Sequence, residues 1–296
     1  MGSNFGQHKP EGMQAYAAPS LFQPHRVRQA IRDAYDGKIP SLLGYYAGLS
    51  SVAVTRFLAP MGWDSCWIDW EHTSCNVETM TTMVHEIVFM SQGKTIPWVR
   101  IPGHDHAAIG YALDAGASLV IPQIETVEQA RHVVSSAKYG TNQNGTRSAP
   151  PFRLVPGITD APYDATRDIH RCLNDQAAIM IQIESLAGIH NLDAILTEVP
   201  DIDVVWLGSL DARVSMNLVG TATGDEPEWV EAKAKFHEVM AKHRKPYGGF
   251  YLGPLDENFK AAASGQQLMF ISADVAALAG MYQTLAGARA ALSEKK

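Results

Sequence analysis

The sequence predicts an α/β fold, a single-domain (β/α)8 TIM barrel. Three observations lead there, and two concern pattern: short, nearly continuous apolar runs recur eight times, and most are followed by a stretch of helical periodicity. The third is size, since 296 residues with 46% apolar content are normal for one such barrel and sufficient for its core.

The runs cover residues 41–46, 66–69, 96–101, 118–122, 178–184, 203–208, 246–250 and 268–272. Continuous apolar character without alternation is the mark of parallel strands buried on both faces. Helices are predicted over 26–35, 51–61, 77–90, 106–115, 127–138, 168–173, 187–196, 212–218, 227–243 and 274–290. Asn76 before Val77 reads as a helix start, as does Asp274 before the Ala-rich last helix. Residues 1–22, rich in Gly, Pro, Gln and Ala, read as a flexible leader or an arm onto a neighbouring subunit, with the barrel over 23–296. Between the fourth and fifth strands, residues 139–166 are dense in Gly, Pro, Asn and Ser, and read as a lid, a subunit contact or a mobile loop.

The formal net charge of -7 and the lack of a basic cluster argue against a nucleic-acid partner and for a small molecule. Three cysteines without a CxxC pair fit a reducing, cytoplasmic compartment, and no apolar span long enough for a membrane helix occurs. The templates GxSxG, GxxxxGK[ST], HExxH and GxGxxG are absent, and no predicted strand ends in a Schiff-base lysine.

In a barrel the residues at the C-terminal ends of strands face substrate. Here those are Asp69-Trp70-Glu71-His72, Arg100, Gln182 and Glu184, and then Gly208-Ser209-Leu210-Asp211. Glu184 and Asp211 are hard oxygen donors suited to Mg2+, with Mn2+ or Co2+ as alternatives, although Glu184 could instead cap the next helix. Arg100 is either a bidentate donor to a substrate oxygen or an ion-pair partner of Asp69 or Glu71. His72 is the best general base, sharing a strand end with two carboxylates. The Gly208 segment opens a helix, so the N–H groups of Leu210 and Asp211 either meet an anion or serve only as a cap.

Six motifs, taken in order, carry a resemblance: Trp67-Ile68-Asp69-Trp70-Glu71-His72, Val99-Arg100-Ile101-Pro102, Asp114-Ala115-Gly116-Ala117, Val120-Ile121-Pro122, Gln182-Ile183-Glu184 and Gly208-Ser209-Leu210-Asp211. Over about residues 42–279 the chain resembles the HpcH/HpaI aldolase family of metal-dependent pyruvate aldolases. The resemblance implies that Glu184 and Asp211 ligate the metal and that Arg100 stabilises the oxygen of a pyruvate enolate. It makes His72 the acid/base group, oriented by Asp69 or Asp114, with Asp114 approaching from an adjacent subunit of a homo-oligomer, often a hexamer. Gln182, Ser209, Leu210 and Trp67 would line the substrate site, joined by Phe152 and Tyr163 from the 139–166 loop. The implied reaction is decarboxylation of oxaloacetate or aldol cleavage and addition, on a 2-oxo acid and an acceptor such as an aldehyde or 2-pyrone. An acyl-CoA lyase, or an inactive barrel used for assembly, are the alternatives. Ser209 replaces the family's usual proline, and Ala212-Arg213 its Leu-Ser; both changes touch the loop rather than the ligand.

Overall fold

A computed structural model describes residues 10–140, 142 and 145–293. The strands are β1 (Leu42–Ala47), β2 (Ser65–Asp69), β3 (Ile96–Arg100), β4 (Ser118–Ile121), β5 (Ile179–Ile183), β6 (Val204–Leu207), β7 (Tyr247–Phe250) and β8 (Leu268–Ala273). Each pairs in parallel with the next, and β8 returns to β1, so the sheet closes into the predicted barrel. From β2 to β6 every residue is buried, which is why these segments are apolar without alternation. Successive residues nonetheless divide between two cores. Trp67, Trp98, Val120, Met180, Trp206 and Phe270 pack together inside the barrel. Cys66, Ile68, Val99, Leu119, Ile181 and Val205 pack outward under the helices.

The helices are α1 (Val27–Tyr35), α2 (Val52–Leu58), α3 (Val77–Met90), α4 (His106–Ala115), α5 (Val127–Ala137), α6 (Ile169–Gln176), α7 (Leu186–Glu198), α8 (Ser209–Ser215), α9 (Pro227–His243), α10 (Glu257–Gly265) and α11 (Asp274–Ser293). Short polar side chains start most of them. The Asn76 carboxamide accepts the Thr79 N–H at 2.8 Å, and Asp105, Thr126 and Ser185 act alike on α4, α5 and α7. The sequence reading has no counterpart of α10, and the reason is physical: α10 buries no residue, so it carries no apolar stripe to betray its period.

The expected leader is described only from residue 10, and there it is not free. Residues Gly12–Tyr16 form a 3-10 turn whose Met13 and Tyr16 are buried with the interior core. Opposite in character is α11. The Asp274 carboxylate accepts the N–H groups of Gly48 and Leu49, each at 2.9 Å, and so ties β8 to the chain leaving β1. Beyond it every described residue of α11 is exposed, among them Val275, Leu278, Met281, Tyr282, Leu285 and Leu292. Among the described residues no helix is long and apolar enough to cross a membrane.

Fitting large rings into a closed barrel requires strand positions without side chains. A Cβ on Gly44 of β1 would come within 2.6 Å of the Phe270 ring, and one on Gly248 of β7 would lie 3.2 Å from both Met180 and Trp206, a tight contact. Phe270 has no room to yield, being fully buried with its ring centroid 5.2 Å from that of Trp67. Gly44→Ala is therefore expected to destabilise the fold by roughly 1–3 kcal/mol through overpacking. Urea unfolding followed by tryptophan fluorescence measures this, and an unchanged midpoint would refute the packing argument.

Candidate active site

The end of β2 organises the catalytic face. Asp69 is fully buried, and its carboxylate accepts from Arg100 Nη2 at 2.6 Å and Nε at 3.1 Å, and from the Tyr46 hydroxyl at 2.6 Å. The same carboxylate accepts the backbone N–H groups of Glu71 (3.0 Å) and His72 (3.3 Å), an Asx-type turn that shapes the segment after β2. Burial alone would raise the Asp69 carboxyl, but the Arg100 hydrogen bonds and charge outweigh it and hold the group below the usual carboxylate range. Burial alone would lower Arg100, and the hydrogen bond and charge of Asp69 reverse that, keeping the guanidinium charged. Glu71 lies 3.2 Å from Arg100 Nε. Arg100 is thus an ion-pair partner of both acids, and it also lines the cavity above the strand ends. Its Nη1 makes no hydrogen bond to protein among the described residues.

His72 follows this turn with its side chain 67% exposed, 3.5 Å from Glu71 Oε2. The expectation that Asp69 orients the imidazole is corrected here: Asp69 holds the backbone N–H of His72, and the acid beside the ring is Glu71.

Across the cavity, Glu184 stands just past β5. It accepts the Gln123 N–H at 2.9 Å and the Gln182 side-chain amide at 3.1 Å. Burial first, then the neighbouring charges of Asp211 and Glu71, push its carboxyl up from 4.5 to about 7 against the pull of the Gln123 N–H and Arg100. Asp211 sits in the first turn of α8, directly after β6. The two elements approach so closely that a Cβ on Gly208 would lie 2.5 Å from Glu184 Cγ. The glycine is there to leave room for the glutamate.

These residues line one cavity of about 510 Å³ with Tyr46, Trp67, Trp206, Leu210 and Phe250. They fit a hard divalent cation. Glu184 and Asp211 offer carboxylate oxygens, and a raised carboxyl between two other acids is a site short of positive charge. Gln182 Oε1 is buried there with no hydrogen-bond partner in the protein, an acceptor awaiting a donor or a cation. Among the described residues no group of three or more His, Cys, Asp and Glu could hold a metal, so the protein would supply few ligands and leave the rest to water and substrate, as Mg2+ prefers.

Of the residues singled out from sequence, Glu184, Asp211, Arg100, His72, Gln182, Ser209, Leu210 and Trp67 meet at this cavity, with Asp69 directly beneath Arg100. Three do not. Asp114 ends α4 away from the cavity of its own chain, paired with Arg147 at 2.6 Å. Phe152 packs edge-on against Phe22, with ring centroids 6.1 Å apart. Tyr163 lines a separate cavity with Arg26, Asp203 and Lys245, at the N-terminal ends of β6 and β7. Neither aromatic reaches this cavity within the chain, because residues 145–166 turn away from the strand C-termini. Leu21 N–H bonds to Ile158 O at 3.1 Å, and the Gln23 amide reaches Thr159 O and Ala161 O, tying the segment to the leader. The sequence reading missed Gln123, Tyr46, Trp206 and Phe250. Gln123 acts through its backbone and adopts a left-handed φ of 51°, which leaves no side-chain signature.

Comparison with known proteins agrees with this fold. The family model described as HpcH/HpaI aldolase/citrate lyase matches residues 42–269. The chain is 33% identical over 194 residues to a hydroxypyruvate/pyruvate aldolase of Roseovarius nubinhibens, covering 64% of this chain and 71% of that one. It is 30% identical over 210 residues to a 4-hydroxy-2-oxo-heptane-1,7-dioate aldolase of Shigella sonnei, covering 69% and 72%. Among solved structures, macrophomate synthase superposes with a TM-score of 0.84 at 31% identity, over 97% of this chain and 96% of that one. An HpcH/HpaI family protein of Burkholderia cenocepacia follows with a TM-score of 0.74 at 26% identity, over 89% and 98%. With its barrel, its strand-end acids and a match over most of its length, the chain belongs to the HpcH/HpaI aldolase/citrate lyase family.

Proposed function

We propose that the chain is a divalent-cation-dependent carbon–carbon lyase that forms a pyruvate enolate from a 2-oxo acid, by decarboxylating oxaloacetate or by aldol cleavage and addition. The observation that carries this reading is the placing of Glu184 and Asp211, a pair of carboxylates short of positive charge, across one cavity from an arginine locked in place. Glu184 and Asp211 would hold the cation, Mg2+ or else Mn2+ or Co2+, which when bound offsets their charge and polarises the 2-oxo group. Arg100 has Nε and Nη2 committed to Asp69, so its remaining N–H groups are presented in a fixed direction to an oxygen that gains charge. His72, exposed to solvent and beside Glu71, would carry a proton to or from the reacting carbon or the acceptor oxygen. Retention of all four groups favours this over a barrel kept only as a scaffold.

The chain is proposed to work as a homo-oligomer, a hexamer by the family resemblance. An apolar helix exposed along its length after Asp274 supports this, since such a surface marks a protein contact. Asp114, distant from its own site, would then approach a neighbour's.

Glu184→Gln and Asp211→Asn should each lower oxaloacetate decarboxylation at saturating Mg2+ by at least about 100-fold, while circular dichroism stays unchanged; full activity in either variant would refute the assignment. The raised Glu184 carboxyl sets a pH dependence. Between 4.5 and about 7 the folded protein keeps a proton that the unfolded chain has lost, so this group's contribution to the stability of the cation-free protein falls as pH rises through that window. Cation binding needs the ionised form, so the rise in melting temperature on adding Mg2+ should be larger near pH 8 than near pH 6. Equal increments would count against Glu184 as a ligand. Removing residues 275–296 should reduce the assembly seen by analytical ultracentrifugation, and an unchanged sedimentation coefficient distribution apart from the lost mass would exclude α11 from the interface.

A further inference from the structure

On the reading just proposed, one reactant is a 2-oxo acid and the other is the electrophile its carbon attacks. We infer that this acceptor is an uncharged aryl or alkyl aldehyde seated on Phe250, and that the site disfavours acceptors with a second carboxylate.

The cavity lining is of two kinds: Glu184, Asp211, Gln182, Arg100 and His72 are polar, and Trp67, Trp206, Leu210 and Phe250, with the Tyr46 ring, are apolar, the two meeting where Arg100 lies 5.3 Å from the centroid of Trp67. Phe250, at the end of β7, is held by four neighbouring rings. It stacks on Trp67 at 5.9 Å and 10°, meets Trp206 edge-on at 4.9 Å and Tyr46 edge-on at 5.4 Å, and meets its register partner on β8, the fully buried Phe270, edge-on at 6.2 Å. Yet Phe250 remains 43% exposed at the cavity, with Leu210 beside it at 49%. A rigid aromatic face left open at a reaction site is a platform for a flat or apolar group.

Charge points the same way. The basic side chains lining the cavity among the described residues are Arg100 and His72, the second a cation only when protonated. Arg100 is already bonded to Asp69 and within 3.2 Å of Glu71, and the His72 ring faces Glu71. With Glu184 and Asp211 engaged by the cation this reading gives them, and the remaining N–H groups of Arg100 directed at the oxygen that gains charge, a distal carboxylate on the acceptor would be desolvated beside Glu71 with no further cation to pair with. At about 510 Å³ the space exceeds what a three-carbon oxo acid fills and admits a ring beside it. The step balances without a further reagent. The oxo acid's methyl group gives up a proton, its carbon bonds to the aldehyde carbon, and the aldehyde's π pair moves to its oxygen, which takes a proton. The product is a 4-hydroxy-2-oxo acid bearing the apolar group.

This inference rests on the enolate reading, and the experiment separates the two. With Mg2+ and pyruvate, kcat/KM for benzaldehyde is compared with that for succinic semialdehyde, in the wild-type protein and in Phe250→Arg. Expected is a preference for benzaldehyde of at least about tenfold, moved at least about tenfold toward the carboxylated aldehyde in the variant. Saturation-transfer NMR with benzyl alcohol and 4-hydroxybutyrate, which do not react, reads the same preference as binding without turnover. A wild-type preference for succinic semialdehyde, a ratio unmoved in folded Phe250→Arg, or stronger transfer to 4-hydroxybutyrate would each overturn the inference. Exchange of deuterium into the pyruvate methyl group tests the donor half alone. Its absence would sink the enolate reading, and the NMR comparison would still decide the acceptor surface.

Discussion

The site depends on the pair of Asp69 and Arg100. A carboxylate with no exposure would be a heavy cost in a barrel end, and it is tolerated because two guanidinium N–H groups, a tyrosine hydroxyl and two backbone N–H groups converge on its oxygens. Taking out Arg100 leaves the Asp69 charge buried without a cation, and taking out Asp69 leaves Arg100 to Glu71 alone. The pair therefore fixes, at once, the direction of Arg100, the turn that carries His72, and the hydroxyl of Tyr46, whose ring in turn bounds the aromatic half of the cavity. Polar and apolar halves share one anchor.

Beneath that anchor the barrel is packed by exchange of volume between strands. Glycines on β1 and β7 face the rings of Phe270 and Trp206, and the glycine after β6 faces Glu184. Large side chains on some strands are matched by their absence on neighbours, as interior packing density requires. The arrangement explains how one layer can hold Trp67, Trp206 and Phe270 together and still leave an open cavity above them.

Much of this was legible in the sequence, for identifiable reasons. The eight strands stood out because burial on both faces makes them continuously apolar, and Glu184, Asp211, Arg100 and His72 were found because strand C-termini converge in a closed barrel. What was illegible depends on long-range contacts. The course of residues 145–166 is set by bonds to Leu21 and Gln23, far away in sequence, so the sequence does not reveal that Phe152 and Tyr163 lie apart from the cavity of their own chain. α10 hides because none of its residues is buried, and Gln123 because its contribution is a backbone N–H. The nearness of Glu71 to His72 was present in the sequence, but which acid held the ring and which the backbone was a matter of geometry.

The seam between the last strand and the first, paired along the β1 and β8 backbones, is braced by a side chain that has a second duty. Asp274 bonds to Gly48 and Leu49 across the seam and is also the first residue of α11. Any pull or torque on that projecting helix is delivered straight to the joint that keeps the cylinder shut. The helix is in this sense a lever mounted on the seam where the first and last strands meet, and whatever grips it also bears on the rim beside Tyr46.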